Sequence, residues 1–275
     1  MPKLSIITVN LNNKAGLIDT AESIVTQTSA DYEWIIIDGG STDGSIDIIK
    51  EYEGYTKYWV SESDTGVYNA MNKGIREAKG EYCLFLNSGD CLISNETLVN
   101  VFKEIGDNVS DIFFCDCINS DKTVIRYPRN FTVNHLVYES LNHQNSLIKC
   151  SLFIEHGLYN ENLKICSDWE FFLMELWKYK STFCHIETNI SVYNVDGISS
   201  KSSMAFENTI VIKNVFEELA DTIIEYQKLR ASIYYGIIEN YGKSKLFILW
   251  LKIYREVSRI ISPKKYRMVK RREVL

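Results

Sequence analysis

A chain of 275 residues that is 45% hydrophobic and 24% charged, with 14 Gly and only 3 Pro, is long enough to bury one large core. That composition excludes a disordered chain, a collagen-like repeat and a disulfide-stapled miniature fold, and the apolar run Leu246 to Leu251 falls far short of the ~20 residues needed to span a bilayer. The formal charge of −6 hides a division: residues 243–275 hold eleven Lys/Arg against Glu256 and Glu273, a net of +9, while residues 1–242 carry a net of −15. An acidic body with a basic tail points to two jobs, with the tail as the place for an anionic partner. The opening MPKLSIITVN has neither an apolar core nor a cleavage pattern, so no signal peptide is expected. Seven cysteines without framework spacing read as reduced thiols of a cytoplasmic protein. His135, His143, His156 and His185 show no metal-ligand spacing, and Cys115 with Cys117 reads as a buried structural pair.

In chain order, the β-branched run Leu4 to Val9 predicts a strand and Ala15 to Gln27 a helix. Trp34 to Ile37 is a second strand, closed by Asp38-Gly39-Gly40 and followed by a helix over Ser45 to Tyr52. A strand at Tyr58 to Val60, a helix at Val67 to Ala78 and a strand at Tyr82 to Leu86 complete the first hundred residues. Such alternation predicts a parallel, doubly wound sheet with helices on both faces. Further on, Ile112 to Cys117 and Ser181 to Glu187 read as strands, Asp168 to Tyr179 as a helix, and the chain from about Met204 as almost wholly helical. The run Ser199-Ser200-Lys201-Ser202-Ser203 suggests a boundary. The expected organisation is therefore a catalytic domain over 1–203, in halves 1–110 and 111–203, and a helical extension over 204–275.

Ligands of such sheets bind at the carboxyl ends of the strands. Polar clusters fall there: Asn10-Leu11-Asn12-Asn13, Asp38-Gly39-Gly40, Glu62-Ser63-Asp64 and Asn87-Ser88-Gly89-Asp90. Neither GxGxxG nor GxxxxGK[ST] occurs. Carboxylates at strand ends suit instead a nucleotide sugar held through a divalent cation, whose charge offsets that of a diphosphate leaving group. Each residue also has a plainer reading. Asp38 and Asp90 sit where turns form, and Asp168 opens an amphipathic helix that it would cap.

Five stretches together resemble the inverting family 2 glycosyltransferases of the GT-A fold: SIITVNLNN (5–13), EWIIIDGGSTDGS (33–45), SESDTGVYNAMNKGIREAKGEYCLFLNSGD (61–90), HQNSLIK (143–149) and CSDWEF (166–171). The resemblance spans about residues 3–200. It implies a Rossmann-type mixed α/β sheet and a bacterial surface-polysaccharide enzyme. It implies that Val9, Asn10, Asp38, Asp64, Lys73 and Asn87 line the donor, with Asp38 on the uracil or ribose. It implies that Asp90 is the metal-binding aspartate for Mn or Mg and that Asp168 is the general base. His143, Gln144, Trp169 and Glu170 fall on the acceptor side, Glu170 being a second candidate base.

The chain also departs from the family pattern. Gly89 stands where a further carboxylate is common, Met71 where many members have Arg, and Ser167 where Glu usually precedes the aspartate. Lys73 is the residue that would replace the missing Arg near the phosphates; its plainer role is an exposed helix position. Two other functions remain: a non-catalytic sugar-nucleotide-binding relative, since Gly89 thins the metal site, and a sugar nucleotidyltransferase. The second needs a glycine-rich basic loop after the first strand, and Asn10-Leu11-Asn12-Asn13-Lys14 is a poor one.

Near the C-terminus, Leu246, Trp250, Ile253, Val257 and Ile260 form a helical stripe, with Lys245, Lys252, Arg255 and Arg259 off it. A basic amphipathic helix of this kind suits an anionic membrane surface at the inner face, where a lipid-linked acceptor would reside. The alternatives are packing on the body or a dimer contact. Nucleic acid fits poorly with the acidic body.

Overall fold

The computed structural model describes residues 1–194 and 205–241. In chain order the elements are β1 (Leu4–Asn10), α1 (Lys14–Val25), β2 (Tyr32–Asp38), α2 (Ser45–Glu51), β3 (Tyr58–Ser61), α3 (Val67–Glu77) and β4 (Tyr82–Phe85). Then follow β5 (Cys91–Leu92), α4 (Thr97–Ile105), β6 (Ile112–Phe114), β7 (Cys117–Asn119), β8 (Val124–Ile125) and α5 (Val133–Leu136). The last are β9 (Ser146–Lys149), α6 (Cys150–Glu155), α7 (Ser167–Met174), β10 (Phe183–His185), β11 (Ser191–Tyr193), α8 (Ala205–Phe216) and α9 (Ala220–Tyr241).

Seven strands form the main sheet in the order β10-β6-β9-β4-β1-β2-β3. β1 to β4 are mutually parallel, as the alternating pattern predicts, but β9 runs antiparallel to both neighbours, β4 and β6. The sheet is therefore mixed. Leu4, Ile6, Ile7, Ile35, Ile36 and Ile37 are wholly buried, as expected for β-branched strands covered on both faces. Where α3 crosses the sheet, a Cβ at Gly74 would collide with Ile7, so the helix needs glycine to lie this close. At the opposite end of the sheet from the site, buried Glu33 accepts hydrogen bonds from Ser5 Oγ at 2.6 Å and from the Lys79 and Gly80 amides at 2.6 and 3.1 Å.

The sequence reading of a single strand from Ile112 to Cys117 is corrected. β6 stops at Phe114 and the chain crosses to a second sheet, of order β5-β11-β7-β8, at Cys117. The crossing is fixed by Asp116, whose carboxylate accepts the Tyr127 amide at 2.9 Å and lies 3.3 Å from His185 Nε2. The helix read to Tyr179 is regular to Met174 and continues as one π turn, Glu175–Tyr179. Buried Glu175 there bonds His156 Nδ1 at 2.9 Å and Ser181 Oγ at 2.5 Å.

The chain divides into two compact units, Met1–Asn208 and a second beginning at Thr209. In the second, α9 follows α8 after a single 3-10 turn, Glu217–Leu219, which Glu217 enters with φ 46°. No helix among the described residues is long and apolar enough to cross a membrane. The basic amphipathic helix predicted over 243–272 lies outside the described residues.

Candidate active site

The carboxyl ends of β1, β2 and β3 align in register, Asn10 opposite Asp38 and Asp38 opposite Ser61. This puts a carboxylate between an amide and a hydroxyl. Asp38 is fully buried; its Oδ1 accepts Asn10 Nδ2 at 2.7 Å and Ser41 Oγ at 2.6 Å. Oδ2 accepts Ser61 Oγ at 2.6 Å and the Ser41 and Gly40 amides at 2.8 and 3.1 Å. Burial opposes the charge, but hydrogen bonds from Ser41, Ser61 and Asn10 outweigh it and hold this carboxyl below its ordinary value. The lone pairs expected to meet a base or ribose are thus engaged by the protein's own donors. What Asp38 visibly does is tie the ends of three strands together.

Asp64 lies against the same turn. A Cβ on Gly39 would sit 2.5 Å from Asp64 Oδ2, so glycine is what lets the carboxylate rest there. Its Oδ1 accepts the Gly66 amide at 2.9 Å, immediately before α3. Lys73 turns to Glu62, at 2.7 Å, and to the Ser63 carbonyl, at 3.2 Å. Met71, the position of the missing Arg, is wholly buried.

The loop after β4 is stitched to β1: the Leu86 amide donates to the Ile7 carbonyl at 2.9 Å and the Ser88 amide to the Val9 carbonyl at 3.1 Å. Asn13, which caps α1, donates to the Ser88 carbonyl at 2.8 Å. Gly89 takes φ +103°, and an added Cβ would come within 3.1 Å of Asn194 Nδ2. A side chain at 89 would therefore be strained as well as crowded. Asp90, 4% exposed, accepts the Asn194 amide at 2.9 Å and a bond from Gln144. Burial raises its carboxyl to about 6, opposed by Asn194, His143, Gln144 and the Asn87 backbone.

The two halves of the main sheet meet at one 3-10 turn, His143–Asn145, that leads into β9. His143 Nδ1 lies 2.8 Å from Asp168 Oδ2, and Nε2 lies 3.2 Å from Asn87 Nδ2. In the tautomer where the Asn87 amide donates to Nε2, Nδ1–H donates a hydrogen bond to the Asp168 carboxylate. Gln144 holds Asp90, and Asn145 Oδ1 accepts the Ser191 amide of β11 at 3.1 Å. Asp168, on the first turn of α7, also accepts from the Tyr68 hydroxyl of α3 at 2.9 Å. The His143 and Asp168 side chains are 13% and 14% exposed, so the pair is mostly shielded from bulk water. The contacts close a ring: Asp64, α3, Tyr68, Asp168, His143, Asn87, Ser88, Asn13, β1, Asp38, Gly39 and back to Asp64.

Two expected acceptor-side residues are engaged internally. Trp169 is 6% exposed and its indole N–H donates to the Leu136 carbonyl at 2.5 Å, because the apolar face of α7 packs inward. Glu170 accepts Asn160 Nδ2 at 3.0 Å. Tyr68, Ser41, Ser61 and Asn194 were not legible as site residues. Tyr68 lies within one of the quoted stretches, yet nothing local tells that it faces a residue one hundred positions away.

Among the described residues no three His, Cys, Asp or Glu side chains cluster as a metal site. One carboxylate, Asp90, stands three residues from Asn87, whose buried Oδ1 has no hydrogen-bond partner. A carboxylate and a partnerless amide oxygen fit a hard cation that takes its other ligands from diphosphate and water.

Residues 5–161 match the family model described as glycosyl transferase family 2. The chain is 31% identical over 223 residues to a PGL/p-HBAD biosynthesis glycosyltransferase of Mycobacterium tuberculosis, covering 79% of this chain and 84% of that one. Its fold is similar to that of S. aureus TarS 1-349 in complex with UDP-GlcNAc, with a TM-score of 0.66, 17% identity and coverage of 92% and 80%. Against the longer TarS chain it spans 42% of that length. A mannosyltransferase of Pyrobaculum calidifontis, in complex with GDP-Man and Mn2+, is similar with a TM-score of 0.57, 17% identity and coverage of 81% and 64%.

Proposed function

The chain belongs to glycosyl transferase family 2, and from that premise we propose that it moves a sugar, with inversion, from a UDP-sugar to a hydroxyl of a glycan or lipid-linked acceptor. The observation that carries the reading is the Tyr68–Asp168–His143 set, linked through Asn87 to the loop that holds Asp90. Inversion needs a single base opposite the leaving group and no protein nucleophile. Asp168, with one oxygen fixed by Tyr68 and the other by His143, has a defined orientation from which to take the acceptor's hydroxyl proton. Asp90, with the amide oxygen of Asn87, would hold a divalent cation, Mn or Mg, which when bound offsets the charge on the departing diphosphate. Support for a UDP donor comes from TarS, whose structures hold UDP and UDP-GlcNAc. Incubation with UDP-sugars and Mn2+ is expected to release UDP; release of pyrophosphate would instead mark a nucleotidyltransferase, and binding without turnover a non-catalytic relative.

Residues 243–272 are proposed, on their apolar stripe and basic charge alone, to hold the enzyme at an anionic membrane surface, where each nearby Lys or Arg is worth about 1 kcal/mol. The full chain is expected to sediment with anionic vesicles at low salt and a chain ending at Gly242 to stay behind. Full-length protein that ignores such vesicles at low salt would exclude this role.

A further inference from the structure

The loop before α7 is held by an acidic side chain from beyond the expected end of the catalytic domain. Glu207, on α8 and within the first compact unit, accepts three successive backbone amides. Lys164 N lies 2.8 Å from Oε1, and Ile165 N and Cys166 N lie 2.9 and 3.0 Å from Oε2. Cys166 is the residue that caps α7, and Asp168 is the second residue of the helix. The Cys166 thiol donates to Asn208 Oδ1 at 3.3 Å, which ties the same two segments again. A carboxylate at this position answers the unpaired amides and the positive end of the helix dipole together.

We propose that Glu207 is a positioning residue for Asp168: by holding the amides of residues 164–166 it fixes where the first turn of α7 presents the base. The inference rests on the reading of Asp168 as the base. α7 is buried through Trp169, Phe171, Phe172 and Leu173, so its attachment to the body does not depend on Glu207. What does depend on it is the loop that sets the height and direction of the first turn. Tyr68 meets both ends of this arrangement, its hydroxyl lying 2.5 Å from the Ile165 carbonyl and 2.9 Å from Asp168 Oδ1. A shift of the 164–166 loop therefore moves the base and its hydroxyl partner out of register with His143.

The test is a double-mutant cycle on the full chain, reading UDP release from a UDP-sugar with Mn2+ and, by calorimetry, the affinity for UDP with Mn2+. Glu207→Ala is expected to lower kcat by about tenfold to a hundredfold, the scale of an ångström-sized misplacement, with UDP affinity within twofold of wild type. Glu207→Gln, which keeps one acceptor oxygen, is expected to fall between. In the Asp168→Asn background, Glu207→Ala should change the residual rate less than twofold, because the group through which it acts is gone. The same fold-loss in both backgrounds, or no loss in either, overturns the proposal. Should Glu207→Ala fail to fold, the Glu207→Gln cycle carries the same test. Wild-type turnover in Asp168→Asn alone would sink the base reading, and this proposal with it. An Asp168→Asn defect without a cycle interaction sinks only the role of Glu207.

Discussion

Asp168→Asn is expected to lower turnover by about 10²- to 10⁴-fold while leaving the fold and donor affinity in place, because a positioned base, the role proposed for it, contributes on that order and acts on the acceptor and not on the donor. The substitution keeps one oxygen and puts an amide N–H in place of the other: at Oδ2 it faces the His143 N–H, and at Oδ1 it faces the Trp169 amide N–H, while the Tyr68 oxygen can accept it. One hydrogen bond is thus lost at a largely buried position, worth about 1 kcal/mol of stability. Thermal unfolding should show that small change, and kcat the large one. A variant with near-normal turnover would transfer the base role elsewhere, and Glu170 is the nearest carboxylate in sequence.

Asp90→Asn is expected to weaken Mn2+-dependent UDP binding by at least about a hundredfold, since even a residue that only orients a ligand costs tenfold to a hundredfold when removed. Asp168→Asn should leave the same affinity within twofold. Equal losses in the two variants, measured by calorimetry, would contradict the division of labour between them. Stability provides a second readout. With the folded carboxyl of Asp90 raised from 3.8 to about 6, the folded chain keeps a proton that the unfolded chain releases near pH 4. Donor-free stability from this group therefore falls as pH rises from about 4 to about 6 and is level above that. The ionised form at neutral pH costs on the order of 3 kcal/mol, which a bound cation would offset. Buried Glu175, whose carboxyl is also raised by burial, contributes a slope of the same sign, so in Asp90→Asn the fall should become shallower and not vanish. A fall equal to that of the unsubstituted chain would place its origin outside Asp90.

The strand-end logic made much of this legible. β1, β2 and β4 are apolar runs closed by polar clusters, so their order, their parallel pairing and the side of the sheet carrying the chemistry all follow from local pattern. The middle of the chain was harder, because its strands are two to four residues long and two sheets share the segment. A run such as Ile112 to Cys117 satisfies either sheet, and only the distant Tyr127 and His185 decide where it bends at Asp116. In the site, Asp90 and Asp168 stood out as carboxylates at an element's end. Tyr68 and Glu207 did not, because a helix tyrosine or glutamate looks the same in sequence whether it faces solvent or a distant loop, as these two do. Trp169 shows the converse: its place beside Asp168 suggested an acceptor contact, while helical geometry turns it inward.

The antiparallel placement of β9 between β4 and β6 has a consequence for how the molecule is made. As the chain is synthesised, β1 to β4 and their helices emerge first and can collapse as a parallel block whose outer strand, β4, offers unpaired amides and carbonyls. That edge stays uncovered until residue 149 is available, about sixty residues later, since β9 is its missing neighbour. The His143–Asn145 turn travels with β9, so the carboxyl ends of β1 to β4 are in place before His143 is brought up to Asn87. Substitutions in Ser146 to Lys149 would accordingly be felt first as loss of soluble protein during synthesis, through pairing of exposed β4 edges between nascent molecules, rather than as slow turnover of the molecules that do finish folding.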